Sequence, residues 1–242
     1  MKILIISDSH ANLTALRAVL EDAGPVDATW CLGDIVGYGP DPNECIEAVS
    51  SLPDLVCLQG NHDRAAIGGI DTSTFNPKAQ TAIRWTQSVL SVDSKTYLED
   101  LTASTQVSGV TLAHGSPRQP IWEYIMDIYT ARLNFDYFDT HYCFVGHTHF
   151  PVIFSLFAED KKVTGRILSA GEKYSITGRA ILNPGSVGQP RDEDNRAAYA
   201  VFDPEEETWT SHRIPYDIKD VQERMKKAGL PNAHIKRLEL GW

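Results

Sequence analysis

Three short apolar runs in the first sixty residues set the terms for any fold this chain can adopt. Lys2-Ile3-Leu4-Ile5-Ile6, residues 28–32 and residues 55–58 show no polar alternation, the pattern of strands covered on both faces. Between the first two runs, residues 12–23 carry Leu13, Leu16, Val19 and Leu20 at helical spacing. Between the second and third, a helix is expected at Pro42–Ser50, with Pro42 tolerated in its first turn. Strand–helix–strand–helix–strand at this rhythm predicts parallel α/β units. A length of 242 residues allows one layered α/β domain with a sizeable core, so a single domain over 1–242 is expected.

Downstream the pattern changes twice. After a Gly68-Gly69 loop, residues 77–90 and 94–101 look helical, and 65–104 is expected to be a helical excursion beside or over a site. Residues 107–113 and 142–145 read as strands. The aromatic segment between them holds Trp122, Tyr124, Tyr129, Phe135, Tyr137 and Phe138. Its favoured reading is core or covering helix, with a base-stacking platform as the alternative. Beyond it the character becomes antiparallel β, at 152–157, 163–168, 179–182, 197–202 and Thr208–Ile214, with turn signals such as Glu159-Asp160 and Pro204-Glu205. Residues 217–228 close the fold as a helix, followed by a short tail to Trp242.

Charge and composition exclude several functions. A net charge of −10 argues against binding long nucleic acid, and no clustered basic groove is visible. No run of eighteen apolar residues suggests a membrane span, and the apolar start is too short for a signal peptide. Cys31, Cys45, Cys57 and Cys143 are widely spaced without a Cys-x-x-Cys. They read as small buried hydrophobes in a reducing compartment, so a cytoplasmic location is expected. Trp85, Trp122 or the tail near Trp242 could serve a homo-oligomer contact.

The chemistry gathers where the apolar runs end. Asp8 and His10 follow the first, Asp34 the second, and Gly60-Asn61-His62-Asp63 the third; His114, His147 and His149 follow two later strands. The carboxyl ends of strands in α/β sheets are where loops converge on ligands. Asp8-x-His10 and His147-x-His149 are two apart, so in extended chain each pair points to one side. A cap explains Asp8 or Asp34 alone, and a hydrogen-bonded structural residue explains any one histidine. Recurrence at five strand ends points instead to metal binding. Imidazole, carboxylate and amide oxygen without thiolate suit Mn²⁺, Fe, Zn²⁺, Ni²⁺ or Co²⁺ and are poor for Ca²⁺. Seven donors exceed one tetrahedral zinc but suit two ions roughly 3.5–4 Å apart with a shared carboxylate.

The order Asp8-x-His10, Gly33-Asp34, Gly60-Asn61-His62-Asp63, His114-Gly115, Gly146-His147-x-His149 resembles the calcineurin-like metallophosphoesterases over about residues 1–215. The Asn183-Pro184-Gly185-Ser186-Val187-Gly188 turn is similar to that of the small prokaryotic phosphodiesterase branch. The resemblance implies a four-layer α/β/β/α sandwich and two divalent ions, Mn²⁺ first among them. By it, Asp8, His10 and His149 would hold one ion, Asn61, His114 and His147 the other, and Asp34 would bridge. It also implies attack on phosphorus by a metal-bridging hydroxide. His62 is then the candidate for protonating the leaving group or stabilising transition-state charge, with Asp63 holding its ring.

The departures narrow the substrate. Phosphoprotein phosphatases of the superfamily carry an Asp and an Arg shortly after the bridging Asp, where this chain has Gly37-Tyr38-Gly39. Ala11 stands where many relatives have Gly. Asn12, Arg64 and Arg191 are candidate phosphate contacts, Arg191 through a bidentate fork. The expected activity is a phosphodiesterase or nucleotide phosphohydrolase acting on a small substrate, with diadenosine polyphosphates as the alternative in that class. The competing reading is a non-catalytic scaffold on the same fold; scaffold relatives tend to lose the histidine that is present here as His62.

Overall fold

The computed structural model describes residues 1–242 except 158 and 160. In chain order it runs β1 (Ile3–Ile6), α1 (Leu13–Ala23), β2 (Ala28–Cys31), α2 (Pro42–Ser50), β3 (Leu55–Cys57), α3 (Asn61–Ala66), α4 (Pro77–Val89) and α5 (Val92–Glu99). It continues with β4 (Ser104–Val107), β5 (Val110–Ala113), α6 (Ile128–Asn134), β6 (Tyr142–Val145), β7 (Pro151–Leu156), β8 (Val163–Arg166) and β9 (Lys173–Ser175). Last come β10 (Arg179–Pro184), β11 (Ala197–Asp203), β12 (Thr208–Ile214), α7 (Ile218–Lys227) and α8 (Asn232–Leu240). One of the two residues of the Glu159-Asp160 turn signal, Asp160, lies outside the described residues.

The strands form two sheets, ordered β3-β2-β1-β11-β12-β9 and β4-β5-β6-β10-β7-β8. Alternation along β1 shows why its run has no polar residue. Ile3 and Ile5 face Trp30, Phe144 and Phe202 in the core between the sheets. Leu4 and Ile6 face Leu16 and Val19 of α1 and Ile46 and Val49 of α2. On the far side, Val145 and Ile181 pack under Ala131 of α6 with Phe135 and Phe138. Helices therefore cover both outer faces, as the four-layer expectation requires.

Three expectations need correction, and one strand lies outside all of them. The parallel and antiparallel halves do not separate along the chain, because each sheet is mixed. β1, β2 and β3 are parallel while β11 joins β1 antiparallel, and β5, β6 and β10 are parallel while β7 joins β10 antiparallel. Residues 107–113 are not one strand. Ser108 and Gly109 both take positive φ (48° and 77°), the two-residue turn that matches strand twist in a hairpin, and β4 folds back on β5. β9, short and flanked by polar residues, gave no periodic signal. The tail to Trp242 is helix α8, and its Ile235 and Leu238 pack with α7, α4 and Tyr38. That packing brings the C-terminus beside the strand ends that carry the chemistry. Among the described residues no helix is long and apolar enough to cross a membrane, and all four cysteines are free.

Candidate metal centre

The loops after β1 and β2 are stitched together by backbone hydrogen bonds, Asp8 N to Gly33 O (3.0 Å), His10 N to Asp34 O (2.9 Å) and Ala11 N to Ile35 O (2.8 Å). Gly146 N reaches His114 O at 2.8 Å in the same way behind β5 and β6. The turn from Asn183 to Gly188 joins the two groups: Asn183 Nδ2 donates to Gly146 O (2.8 Å) and Ser186 Oγ to Asp8 O (2.9 Å). Its role is to clamp the loops.

The paired ligands do not lie on extended chain. Asp8, His10, Asp34, His147 and His149 have φ of 55°, 47°, 53°, 64° and 62°, so left-handed turns, not strand alternation, aim them. Each such residue costs about 1–2 kcal/mol without glycine, and such strain collects at functional sites. Ala11 shares the conformation (φ 53°), one that glycine adopts without strain. Close approach adds to this at Gly60, where a Cβ would lie 2.0 Å from Asp34 Oδ1.

Each carboxylate is anchored through one oxygen and free at the other. Asp8 Oδ2 accepts from Ser7 Oγ (2.6 Å) and His147 N (3.0 Å), while its Oδ1 is buried without a hydrogen bond. Asp34 Oδ1 accepts from His62 N (2.8 Å). Its Oδ2 lies 3.7 Å from His10 Nε2 and 3.5 Å from His114 Nε2, between the two.

The imidazoles are oriented by carbonyls. Nδ1 of His10, His149 and His114 faces Val36 O (3.1 Å), Gln189 O (2.6 Å) and Leu32 O (2.8 Å). A carbonyl only accepts, so each Nδ1 carries a proton, and Nε2 of each ring is left as the nitrogen that takes a metal ion or a second proton. Those Nε2 atoms confront other acceptors. His10 Nε2 is 3.1 Å from His149 Nε2, which is 3.4 Å from Asp8 Oδ1. His114 Nε2 is 3.2 Å from both Asn61 Oδ1 and His147 Nδ1. Converging acceptors repel unless a metal ion or a proton sits among them. The donor set and its orphaned Oδ1 thus fit metal ions, and Asp8, His10 and His149 form one group that could hold an ion, with Asp34, His114 and His147 another.

Protonation tells the same story. Burial, opposed by Asp34, holds His10 well below the usual imidazole range, and burial also holds His149 well below it. Burial pushes His147 down to about 3 and raises Asp8 to about 7. Burial works against the charge on His114 too, but the Asp34 carboxylate outweighs it and lifts His114 to about 9.

His62 belongs to the same cluster, near His10 and Asp34. Asp63 does not hold its ring. Asp63 Oδ1 accepts from Val36 N (3.0 Å) and Oδ2 from Gly60 N (2.9 Å), a capping arrangement that fixes the loop. His62 Nδ1 is buried without a partner. Packing holds the ring instead, with Tyr38, His10 and Phe75 centroids at 4.4, 4.9 and 5.1 Å, and burial lowers its pKa to about 4.

The phosphate-contact candidates separate. Asn12 is committed within the chain, Oδ1 capping Ala15 N (3.1 Å) and Nδ2 donating to Gly188 O (3.0 Å). Arg64 is exposed on α3. Arg191 is half-buried, and its Nε is buried and unpartnered; its charge helps hold down His62, His147 and His149. The aromatic segment is divided: Phe135 and Phe138 are core, whereas Tyr124 stacks on His147 (4.0 Å, 15°) and Trp122 meets Phe75 at 5.6 Å. The sequence singles out neither Tyr38 nor Phe75 as a site residue, because an aromatic reads alike in a core and at a site; Tyr124 lies in the segment whose alternative reading is a stacking platform. Gly37-Tyr38-Gly39 was the available signal for Tyr38.

The calcineurin-like phosphoesterase superfamily domain matches residues 1–207. The crystal structure of a metallophosphoesterase from Sphaerobacter thermophilus is 50% identical, with a TM-score of 0.91 over 100% of this chain and 99% of that one. An uncharacterized protein of Methanocaldococcus jannaschii is 39% identical over 99% of this chain and 98% of its own length. A symmetrical bis(5'-nucleosyl)-tetraphosphatase of Pseudomonas entomophila is 39% identical over 62 residues, 24% of this chain and 22% of that protein.

Proposed function

Because this chain belongs to the calcineurin-like phosphoesterase superfamily and is a metal-dependent phosphoesterase, we propose that it uses two divalent ions to hydrolyse a small phosphodiester or nucleotide. The observation that carries this reading is the convergence of imidazole, carboxylate and amide donors on both sides of Asp34 Oδ2. Asp8, His10 and His149 would hold one ion and Asn61, His114 and His147 the other, with Asp34 shared. Manganese suits the thiolate-free donor set, as do Fe, Zn²⁺, Ni²⁺ and Co²⁺. Bound there, such ions act as Lewis acids on phosphoryl oxygens and lower the pKa of water toward neutrality.

The chain's own side chains supply the rest. His62, neutral at pH 7 by its depressed pKa, offers an N–H to the oxygen on which charge develops as the leaving group departs. Asp63 keeps the loop beneath it rigid. Arg191, whose Nε has no hydrogen-bond partner, would contact a phosphate oxygen. Tyr124 and the Phe75–Trp122 pair provide an apolar wall for an aryl or nucleobase group. The short similarity to a bis(5'-nucleosyl)-tetraphosphatase keeps diadenosine polyphosphates as an alternative substrate.

The test is hydrolysis of bis-p-nitrophenyl phosphate by chelator-stripped protein, with and without Mn²⁺. Activity restored by Mn²⁺ and reduced about 10²-fold or more in His62→Ala supports the reading. Metal binding without cleavage of this ester or of nucleotides would put a non-catalytic scaffold in its place.

A further inference from the structure

Cations gather without carboxylate partners beside the metal centre of this acidic chain. Among the described residues, Arg191, Arg237, Lys236 and Lys78 take part in no ion pair. Gln189 Oε1 lies 3.2 Å from Arg191 Nη2 and 3.5 Å from Arg237 Nη1, so two guanidinium groups converge on one neutral amide oxygen. The backbone oxygen of Gln189 accepts from His149 Nδ1 at 2.6 Å, which ties the pair to the proposed ligands. Burial and then the Arg191 charge hold Arg237 below the ordinary guanidinium range. An amide oxygen is a weak counterpart for two forks; a phosphate oxygen pair is a strong one.

The surroundings have the shape of a site. A cavity of about 560 Å³ lies between the start of α4 and α8, lined among others by Lys78, Lys236 and His234. A second of about 390 Å³ is lined by Tyr124 and Arg191, and Arg237 and Trp242 line both. Both volumes fall within the ~300–1,000 Å³ usual for small-molecule sites. The buried His234, neither ring nitrogen of which has a hydrogen-bond partner, packs on Tyr38 at 4.6 Å; Tyr38 lies 4.7 Å from His10. One wall is therefore shared with the metal centre. Arg237, Lys236 and His234 all come from α8, beyond residue 207, where the family match ends.

We propose that Arg237, with Arg191, Lys236 and Lys78, binds a second phosphate of the substrate, so that this chain acts on phosphoesters bearing at least one phosphate beyond the one cleaved. The proposal rests on the phosphoesterase reading above. α8 sets the specificity by placing a fork where a substrate's remaining phosphates leave the metal centre.

The test compares kcat/KM of the Mn²⁺-loaded full chain on diadenosine tetraphosphate and on bis-p-nitrophenyl phosphate, which has no second phosphate. Arg237→Gln is expected to lower the ratio of the two by about 10- to 100-fold, the range of one charged hydrogen-bonding partner. Arg237→Lys should recover part of it, and the exposed Lys236→Gln should lower it about threefold. An unchanged ratio in both glutamine variants overturns the proposal. So does a wild type that cleaves the diester but neither cleaves the tetraphosphate nor is inhibited by inorganic tripolyphosphate. If wild type cleaves neither ester, the hydrolase reading fails by itself. Calorimetric titration of the metal-free chain with tripolyphosphate then decides the anion site: binding weakened tenfold or more in Arg237→Gln sustains it, and equal binding in wild type and both glutamine variants refutes it.

Discussion

Replacing Gly37 by alanine tests whether the position of His62 matters independently of the metal ligands. Gly37 has φ of 98°, and a Cβ there would lie 2.6 Å from His62 Nδ1, about 0.8 Å short of ordinary contact. The backbone contributes about 1–3 kcal/mol of strain and the overlap about 1–3 kcal/mol. Because the imidazole can yield partly, a total of about 2–4 kcal/mol is expected, or roughly 4–16 °C in Tm at this chain length. The ring cannot yield freely, since Tyr38, His10 and Phe75 enclose it. A displacement near 1 Å costs about 10²-fold in a positioned group. The assay is a thermal melt, metal stoichiometry and kcat on bis-p-nitrophenyl phosphate at saturating Mn²⁺. Gly37→Ala should bind the same number of ions, melt lower and turn over about 10²-fold slower. A variant that melts lower but keeps wild-type kcat would show that the enforced placement of His62 has no catalytic role.

Other outcomes follow from the same geometry. With His114 raised to about 9, its proton is bound below that pH and must leave when metal binds. Apparent affinity should therefore rise about tenfold per pH unit between 7 and 9, and calorimetry in buffers of different ionisation enthalpy should detect about one proton released near pH 7.5. In the metal-free chain the same proton stabilises the fold fully below pH 6.5 and is lost as pH rises through 9, so the Tm of chelated protein should fall over that interval. Adding metal at about 100-fold its Kd should raise stability by ~2.7 kcal/mol, or roughly 5–10 °C in Tm; no shift would contradict the convergence of donors. Asp63→Asn puts an amide NH₂ against Val36 N or Gly60 N and should cost about 1–3 kcal/mol. Its kcat per folded molecule should fall less than that of His62→Ala, and the reverse order would mean that Asp63 acts on the chemistry directly.

Much was legible along the chain because local patterns are written locally. Uninterrupted apolar runs mark strands buried on both faces, and β1 with Ile3 and Ile5 on one core and Leu4 and Ile6 on another is what such a run requires. The donors at five strand ends were visible for the same reason: a polar residue after a buried strand has few reasons to be there. By itself, then, the sequence determined the layered α/β class, where its loops emerge and which side chains those loops carry. Only the tertiary structure decided how these act together. His10 and His149 are 139 positions apart yet have ring nitrogens 3.1 Å apart, and left-handed turns stitched across strands bring this about. Asp63 lost its expected partner to two backbone amides, and α8 brought Arg237 to Arg191 from the far end of the chain. The physical reason is that periodicity records which face of an element is buried, whereas a site depends on contacts between elements, whose distances only packing sets.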